Sequence, residues 1–97
     1  MLHTVNKSLH GSRAFESALR IARPGEPILL LEDGVHAARR GTSMEALVTE
    51  AIASHPVYAL EPDIRARGIA GIVDGVKRIG YGEFVELVAE HHVVSWF

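Results

Sequence analysis

Short apolar runs alternate with amphipathic segments along this chain. Residues 27–31, PILLL, form an unbroken apolar run, and Glu32, Asp33 and Gly34 end it. A run this short, bounded by turn residues, predicts a strand buried on both faces. Such strands are typical of parallel sheets covered by helices. We therefore expect residues 27–31 to be a central strand, with Glu32 and Asp33 at its carboxyl end.

Four more segments have the pattern of strands, and predicted helices separate them. The strands are expected at residues 1–5, 57–60, 76–79 and 93–97, and the helices at residues 15–22, 35–40, 42–52, 62–67 and 81–90. Thr42 and Glu45 have the spacing of a capping box. Ser12 is placed to cap the first helix. Strands that alternate with helices predict an α/β domain with a mainly parallel sheet covered by helices.

Length and composition narrow the function classes. The 97 residues suit one domain, residues 1–97. The net charge of −2 argues against a domain that binds nucleic acid without the help of a partner, because such domains usually carry a strongly basic face. The chain has no cysteine, which excludes disulfides, thiolate metal sites and cysteine nucleophiles within it. No segment approaches the ~20 apolar residues of a membrane span, and the first residues lack a signal peptide's apolar core. We expect a cytoplasmic protein with no membrane partner.

Asp33 and His36 are the candidate polar site. They lie near the predicted carboxyl edge of the sheet, where open α/β sheets place ligand crevices. Two alternatives stay open for Asp33. Its carboxylate takes part in a reaction, or it caps a helix and Gly34 is a turn residue. The scattered histidines and the adjacent His91-His92 lack metal-ligand spacing. Phosphate-loop, dinucleotide and nucleophile-elbow motifs are missing, so no metal or cofactor is predicted.

The carboxyl end is unusually apolar. Val93, Val94, Trp96 and Phe97 stand among the last five residues, whereas chain ends are usually polar and frayed. Trp96 and Phe97 either close the core of this domain or anchor a partner. Since the residues offer no catalytic constellation, this pattern favours a subunit of a larger assembly.

Five segments together resemble the DsrH/TusB family. They are LHTVNKS at residues 2–8, FESALRIA at 15–22, PILLLEDGVHAA at 27–38, VYALEPDIRARGI at 57–69 and FVELVAEHHVVSWF at 84–97. The resemblance covers nearly the whole chain without large gaps. It implies a DsrEFH-like three-layer α/β/α domain with a five-stranded sheet, in which residues 93–97 lie beside residues 1–5.

The resemblance also implies a place in a sulfur relay. Family members are the smallest type of subunit in a hexamer with two copies each of three related chains, so TusC-like and TusD-like partners are implied. The hexamer passes persulfide sulfur from a donor protein to the next carrier. In the TusB branch the route leads to 2-thiouridine at the wobble position of tRNA, and in the DsrH branch it serves dissimilatory sulfur oxidation.

Ala18 departs from the DsrH pattern. DsrH proteins typically carry a cysteine in the first helix, in a context like LESCLKFA, and Ala18 stands at the matching position. A relay subunit that carries sulfur needs a thiolate, which alanine lacks. The resemblance therefore favours the TusB branch, whose chains commonly lack this cysteine, and assigns the active cysteine to the TusD-like partner.

The leading hypothesis is a non-catalytic subunit of a cytoplasmic complex for tRNA thiolation, without direct contact to nucleic acid. Asp33, His36, Trp96 and Phe97 are its expected partner contacts. A second hypothesis is a self-standing small α/β enzyme that uses Asp33 and His36. A third is a DsrH-like subunit of a sulfur-oxidation complex that has lost its own cysteine.

Overall fold

The computed structural model describes residues 1–7 and 13–96. Its strands are β1 (Leu2–Val5), β2 (Ile28–Leu30), β3 (Val57–Leu60), β4 (Lys77–Ile79) and β5 (Val93–Trp96). Its α-helices are α1 (Ala14–Ile21), α2 (Glu45–Ile52), α3 (Glu61–Ala66) and α4 (Tyr81–Glu90), and a 3-10 helix (Glu32–Ala38) follows β2. The order of elements matches the prediction. The largest differences are the 3-10 helix, which begins at Glu32 rather than Val35, and α2, which begins at Glu45 rather than Thr42.

The five strands form one sheet in the order β4-β3-β2-β1-β5. Every neighbouring pair is parallel. Thr4 on β1 lies between Leu29 of β2 and Ser95 of β5. The last strand thus lies beside the first, as the family resemblance implied, and the mainly parallel sheet expected from the alternation is parallel throughout.

The first face of the sheet carries the larger core. The strand residues that point to it include Val5, Ile28, Leu30, Val57 and Ala59. Phe15 and Ala18 of α1, Val35 of the 3-10 helix and Val48 of α2 cover them, and all are fully buried. Burial on this scale is the main force that holds the fold together.

The second face of the sheet has a smaller core. Leu2, Leu29, Leu60 and Ile79 point to it from four strands, and Phe84 and Leu87 of α4 pack against them. The domain therefore has three layers, as predicted, but its two helical layers differ in size.

The orientation of α4 differs from the sequence prediction. The apolar pattern placed Tyr81, Phe84, Val85 and Val88 together on one side of this helix. In the structure Phe84 and Leu87 face the sheet, whereas Tyr81 and Val85 are 60% and 63% exposed. The apolar arc of α4 is wider than the sheet can cover, so part of it faces outward.

The prediction of a capping box between Thr42 and Glu45 is wrong, since the N-cap of α2 is Met44 and no side chain caps it. The Glu45 carboxylate accepts a hydrogen bond from the Gly41 N–H at 2.8 Å, and Thr42 Oγ1 accepts one from the Met44 N–H at 3.2 Å. A capping box would instead join Thr42 and Glu45 to each other. Gly41 has a left-handed φ of 86°, and the extra turn that it begins displaces both bonds. Ser12, the predicted cap of the first helix, lies outside the described residues.

Gly34 lets the 3-10 helix approach the end of β1. A Cβ atom at this position would lie 1.9 Å from the Val5 carbonyl oxygen. Its φ is not left-handed, unlike those of Gly25, Gly41, Gly68 and Gly75. Gly34 is therefore required for close packing of backbone on backbone, rather than for the turn that the sequence suggested.

Candidate functional site

Acidic residues gather where β2 and β3 end. Glu32 begins the 3-10 helix after β2, and Glu61 begins α3 after β3. Glu32 has a left-handed φ of 51°, which is uncommon for a residue other than glycine. Its N–H donates to Asp63 Oδ2 at 2.6 Å. This bond ties the 3-10 helix to α3 and stabilises the unusual backbone of Glu32.

Arg67 binds the carboxylate of Asp33. Arg67 Nε donates to Asp33 Oδ1 at 2.9 Å, and its Nη1 donates to the Asp63 carbonyl oxygen at 3.3 Å. The Asp33 side chain stays largely exposed, while that of Arg67 is mostly covered. No side-chain cap bond is made at the start of the described 3-10 helix. The alternative that Asp33 is a helix cap is therefore wrong, and its carboxylate joins two elements through an ion pair.

His36 lies on the same side of the 3-10 helix as Asp33, because residues three apart eclipse each other in this geometry. The His36 side chain is half-buried. Asp33 pairs with Arg67, and no hydrogen bond joins Asp33 to His36 in the part of the chain that the structure describes. The arrangement gives an exposed polar edge and no hydrogen-bonded acid–base pair.

Trp96 is anchored inside the domain. Its Nε1–H donates to His3 Nδ1 at 3.1 Å, and the two rings stack with centroids 6.2 Å apart. Trp96 also packs against the core of the first face. This outcome favours the alternative in which Trp96 closes the core of its own domain. Contact of its exposed part with a partner stays a prediction, and Phe97 lies outside the described residues.

His3 links Trp96 to Glu26. His3 is buried, and its Nε2 lies 2.9 Å from Glu26 Oε1. Because an indole nitrogen only donates, His3 Nδ1 must be the acceptor, and the proton is on Nε2. The pair of bonds therefore fixes His3 as the neutral tautomer that donates to Glu26.

The Glu26 carboxylate accepts three hydrogen bonds. The hydrogen bond from His3, the Arg23 N–H and the amino terminus of Met1 lower its pKa to about 2. The carboxylate is therefore ionised at neutral pH. Through it, β1 and β5 are fastened to the turn that precedes β2. The sequence gives no signal for this cluster, because 23 positions separate His3 from Glu26 and 93 separate it from Trp96.

Ala18 is fully buried in the core of the first face. It is the position where the DsrH resemblance places a cysteine. The Ala18 side chain packs against the sheet and is not exposed to solvent. A buried alanine of the core therefore occupies the position at which the DsrH pattern has a cysteine.

The described residues hold no obvious metal site or membrane span. Among residues 1–7 and 13–96, no group of three or more His, Cys, Asp or Glu side chains is arranged to hold a metal ion. Within the same ranges no helix is long and apolar enough to cross a membrane.

The fold and the site define a small, cysteine-free α/β domain with a polar edge at Asp33 and His36. The family described as "DsrH like protein" matches residues 7–94. The chain belongs to this DsrH/TusB family. Protein TusB of Salmonella paratyphi B is 40% identical over 98 residues, which cover 99% of this chain and 100% of the relative. Protein TusB of Salmonella typhi matches to the same extent.

Solved structures show the same fold at lower sequence identity. The ychN protein from E. coli superposes with a TM-score of 0.80 at 20% identity, covering 97% of each chain. MTH1491 from Methanobacterium thermoautotrophicum, a protein of unknown function, gives a TM-score of 0.73 at 17% identity, over 97% of this chain and 96% of that one. At these identities the likeness establishes the architecture alone.

Proposed function

We propose that the chain is a TusB-like, non-catalytic subunit of a cytoplasmic persulfide relay that supports 2-thiolation of the tRNA wobble uridine. The observation that carries this proposal is the 40% identity to Protein TusB along the full length of both chains. Identity of this extent, without large gaps, is expected of proteins that share a role as well as a fold.

The absence of cysteine defines the kind of role. A persulfide is carried on a cysteine thiolate, and this chain has none. Its contribution is therefore to assemble and shape the complex, while a TusD-like partner supplies the thiolate. A TusC-like chain completes the hexamer, with two copies of each subunit.

The polar edge is the proposed partner contact near the relay cysteine. Asp33 is exposed and held in place by Arg67. His36 lies on the same side of the 3-10 helix, and the Asp63 bond to Glu32 fixes where that helix begins. Trp96, through the part of its side chain that stays exposed, and Phe97 remain predicted contacts.

The test is the content of 2-thiouridine in tRNA from a host strain that lacks the gene. Nucleosides from digested tRNA are separated and quantified by mass spectrometry. We expect the wobble 2-thiouridine to be lost in the deletion strain and restored by the wild-type gene. An unchanged content would contradict the tRNA role.

Two outcomes would favour the alternatives. A deletion strain with normal tRNA but impaired growth on reduced sulfur compounds would support the DsrH-like role in sulfur oxidation. A chain that purifies only as a monomer or homodimer, with an activity that Asp33→Asn abolishes, would support the self-standing enzyme.

A further inference from the structure

Within residues 1–7 and 13–96, two side-chain hydrogen bonds join the last strand to the first, one on each face of the sheet. On the second face, Thr4 Oγ1 donates to Ser95 Oγ at 3.2 Å. On the first face, Trp96 Nε1–H donates to His3 Nδ1 at 3.1 Å. Histidine gains a proton between about pH 8 and 5, whereas hydroxyl groups do not titrate there. The Trp96–His3 bond is therefore the one of the two that acid can change.

Protonation of His3 turns the acceptor of this bond into a donor. Neutral His3 carries its proton on Nε2, which faces Glu26, and accepts the indole N–H at Nδ1. The imidazolium ion has an N–H at both ring nitrogens, and the indole nitrogen of Trp96 only donates. Two N–H groups then face each other where the 3.1 Å bond was. The indole also presents the positive edge of its ring, so no cation–π attraction replaces the bond.

Glu26 stays a partner of His3 in both charge states. Its Oε1 lies 2.9 Å from His3 Nε2, which carries a proton in the neutral tautomer and in the imidazolium ion alike. A buried charge is costly unless it is paired, and the ionised Glu26 carboxylate supplies the counter-charge. The amino group of Met1 binds the other oxygen of Glu26 at 3.1 Å. Protonation therefore leaves β1 fastened to the turn before β2, and it is Trp96 that loses its bond.

The other elements around His3 bring no second counter-charge to its ring. Its neighbours in the register of β2 and β5 are apolar. Helix α1 covers this face, and Arg20 in its last turn and Arg23 after it are both exposed. His55 donates from Nδ1 to the Glu26 carbonyl oxygen at 3.0 Å, and it keeps that proton when its ring is charged. Of these groups, it is His3 whose proton uptake removes a hydrogen bond.

We propose that protonation of His3 releases the Trp96 side chain and loosens the end of β5, so that the last strand of the domain is sensitive to acid. Release and proton uptake favour each other, because the charged His3 has no donor facing it once Trp96 has left. In the described sheet β5 pairs with β1 alone, so a second strand does not hold it. The inference goes beyond the proposed function, and it makes the predicted contact of Trp96 with a partner dependent on pH.

The test follows the indole N–H of Trp96, the single tryptophan, in NMR spectra of the isotope-labelled full chain between about pH 8 and 5. The nitrogen signals of the imidazole report the tautomer and the charge of His3 in the same samples. Exchange of the indole N–H with solvent is expressed as a protection factor, which removes the intrinsic effect of pH on exchange. The Ile28 N–H, which donates to the Pro56 carbonyl oxygen at 2.9 Å, is the internal reference in the centre of the sheet.

We expect the indole signal to shift with the same midpoint as the His3 nitrogens. The protection factor of the indole N–H should fall by at least about fivefold, as for the loss of one hydrogen bond, while that of the Ile28 N–H stays unchanged.

Two variants provide matched controls. Ser95→Ala removes the Thr4 bond on the second face, which does not titrate, and should keep the pH response of the indole. His3→Gln retains a side chain that can donate and accept but cannot take up a proton, and it should abolish the response.

Several results would overturn the proposal. The indole N–H could stay protected while His3 gains its proton, or His3 could stay neutral throughout the pH range. Loss of protection at Ile28 together with Trp96 would mean that the whole domain opens, and a response that persists in His3→Gln would assign it to another group. The first three results need only the wild-type chain, so the test holds even if His3→Gln does not fold. None of them bears on the proposed function, which the tRNA measurement tests separately.

Discussion

At the residue scale, a few side chains join segments that are distant in sequence. The Trp96–His3 bond spans 93 positions, and the His3–Glu26 bond spans 23. A neutral His3 accepts from the indole and donates to the carboxylate, so both bonds are made at once. These three residues fix the last strand against the first and hold the turn before β2.

Glu26 should make the free energy of unfolding of the domain depend on pH in the acidic range. A carboxylate whose pKa is lowered on folding, here to about 2, stabilises the fold fully above its unfolded pKa near 4.5 and loses that effect as the pH falls toward 2. We expect Glu26→Gln to be less stable than wild type at pH 6, with the difference shrinking between pH 4.5 and 2. Urea unfolding followed by Trp96 fluorescence measures this. A difference that stays constant over this range would contradict the account.

A cysteine introduced at position 18 should be unreactive. Because Ala18 is fully buried, Ala18→Cys should react with a thiol reagent at least about 100-fold more slowly than an exposed cysteine, since it must wait for the chain to open. Ala66→Cys, on the exposed end of α3, is the matched control in a chain otherwise free of cysteine. Equal rates for the two variants would show that position 18 is accessible and that the core around α1 is described wrongly.

At the element scale, the 3-10 helix is fixed at both of its sides. Gly34 brings it against the end of β1, and the Glu32–Asp63 and Asp33–Arg67 bonds tie it to α3. The polar edge is therefore presented by a short helix with little freedom to move. A rigid support of this kind suits a residue pair that contacts a partner.

Gly34→Ala should destabilise the domain strongly. Its Cβ would meet the Val5 carbonyl oxygen at 1.9 Å, so β1 or the 3-10 helix must shift, at a cost of roughly 3 kcal/mol or more. Gly82→Ala is the control, since a Cβ there meets nothing within 4 Å, and it should be neutral or stabilise by roughly 0.5 kcal/mol. Thermal unfolding of the two variants measures both effects. Similar midpoints would contradict the close approach of Gly34 to β1.

The elements themselves could be predicted, because each depends on a local pattern. The run at residues 27–31 predicted β2, and the alternation of short strands with helices predicted a parallel sheet. The outward side of α4 could not be predicted, since its apolar arc is wide and only the sheet decides which part is covered. The ion pair between Asp33 and Arg67 could not be predicted either, because 34 positions separate the two residues.

At the scale of the whole molecule, the domain is unevenly covered. The first face of the sheet carries α1, the 3-10 helix, α2 and α3, while α4 covers the second. Parallel sheets are normally covered on both faces. The exposed apolar residues of α4 and the lack of cysteine both fit the proposed role as a subunit of a larger assembly.

The most direct test of this account is the composition of the complex that the tagged chain forms in its native host at natural expression. Native mass spectrometry of the purified material gives the number and mass of its subunits. We expect two copies of this chain with two copies each of two related chains, one of which carries an extra sulfur atom on a cysteine. A lone monomer or homodimer would contradict the central claim that this protein is an accessory subunit of a sulfur relay.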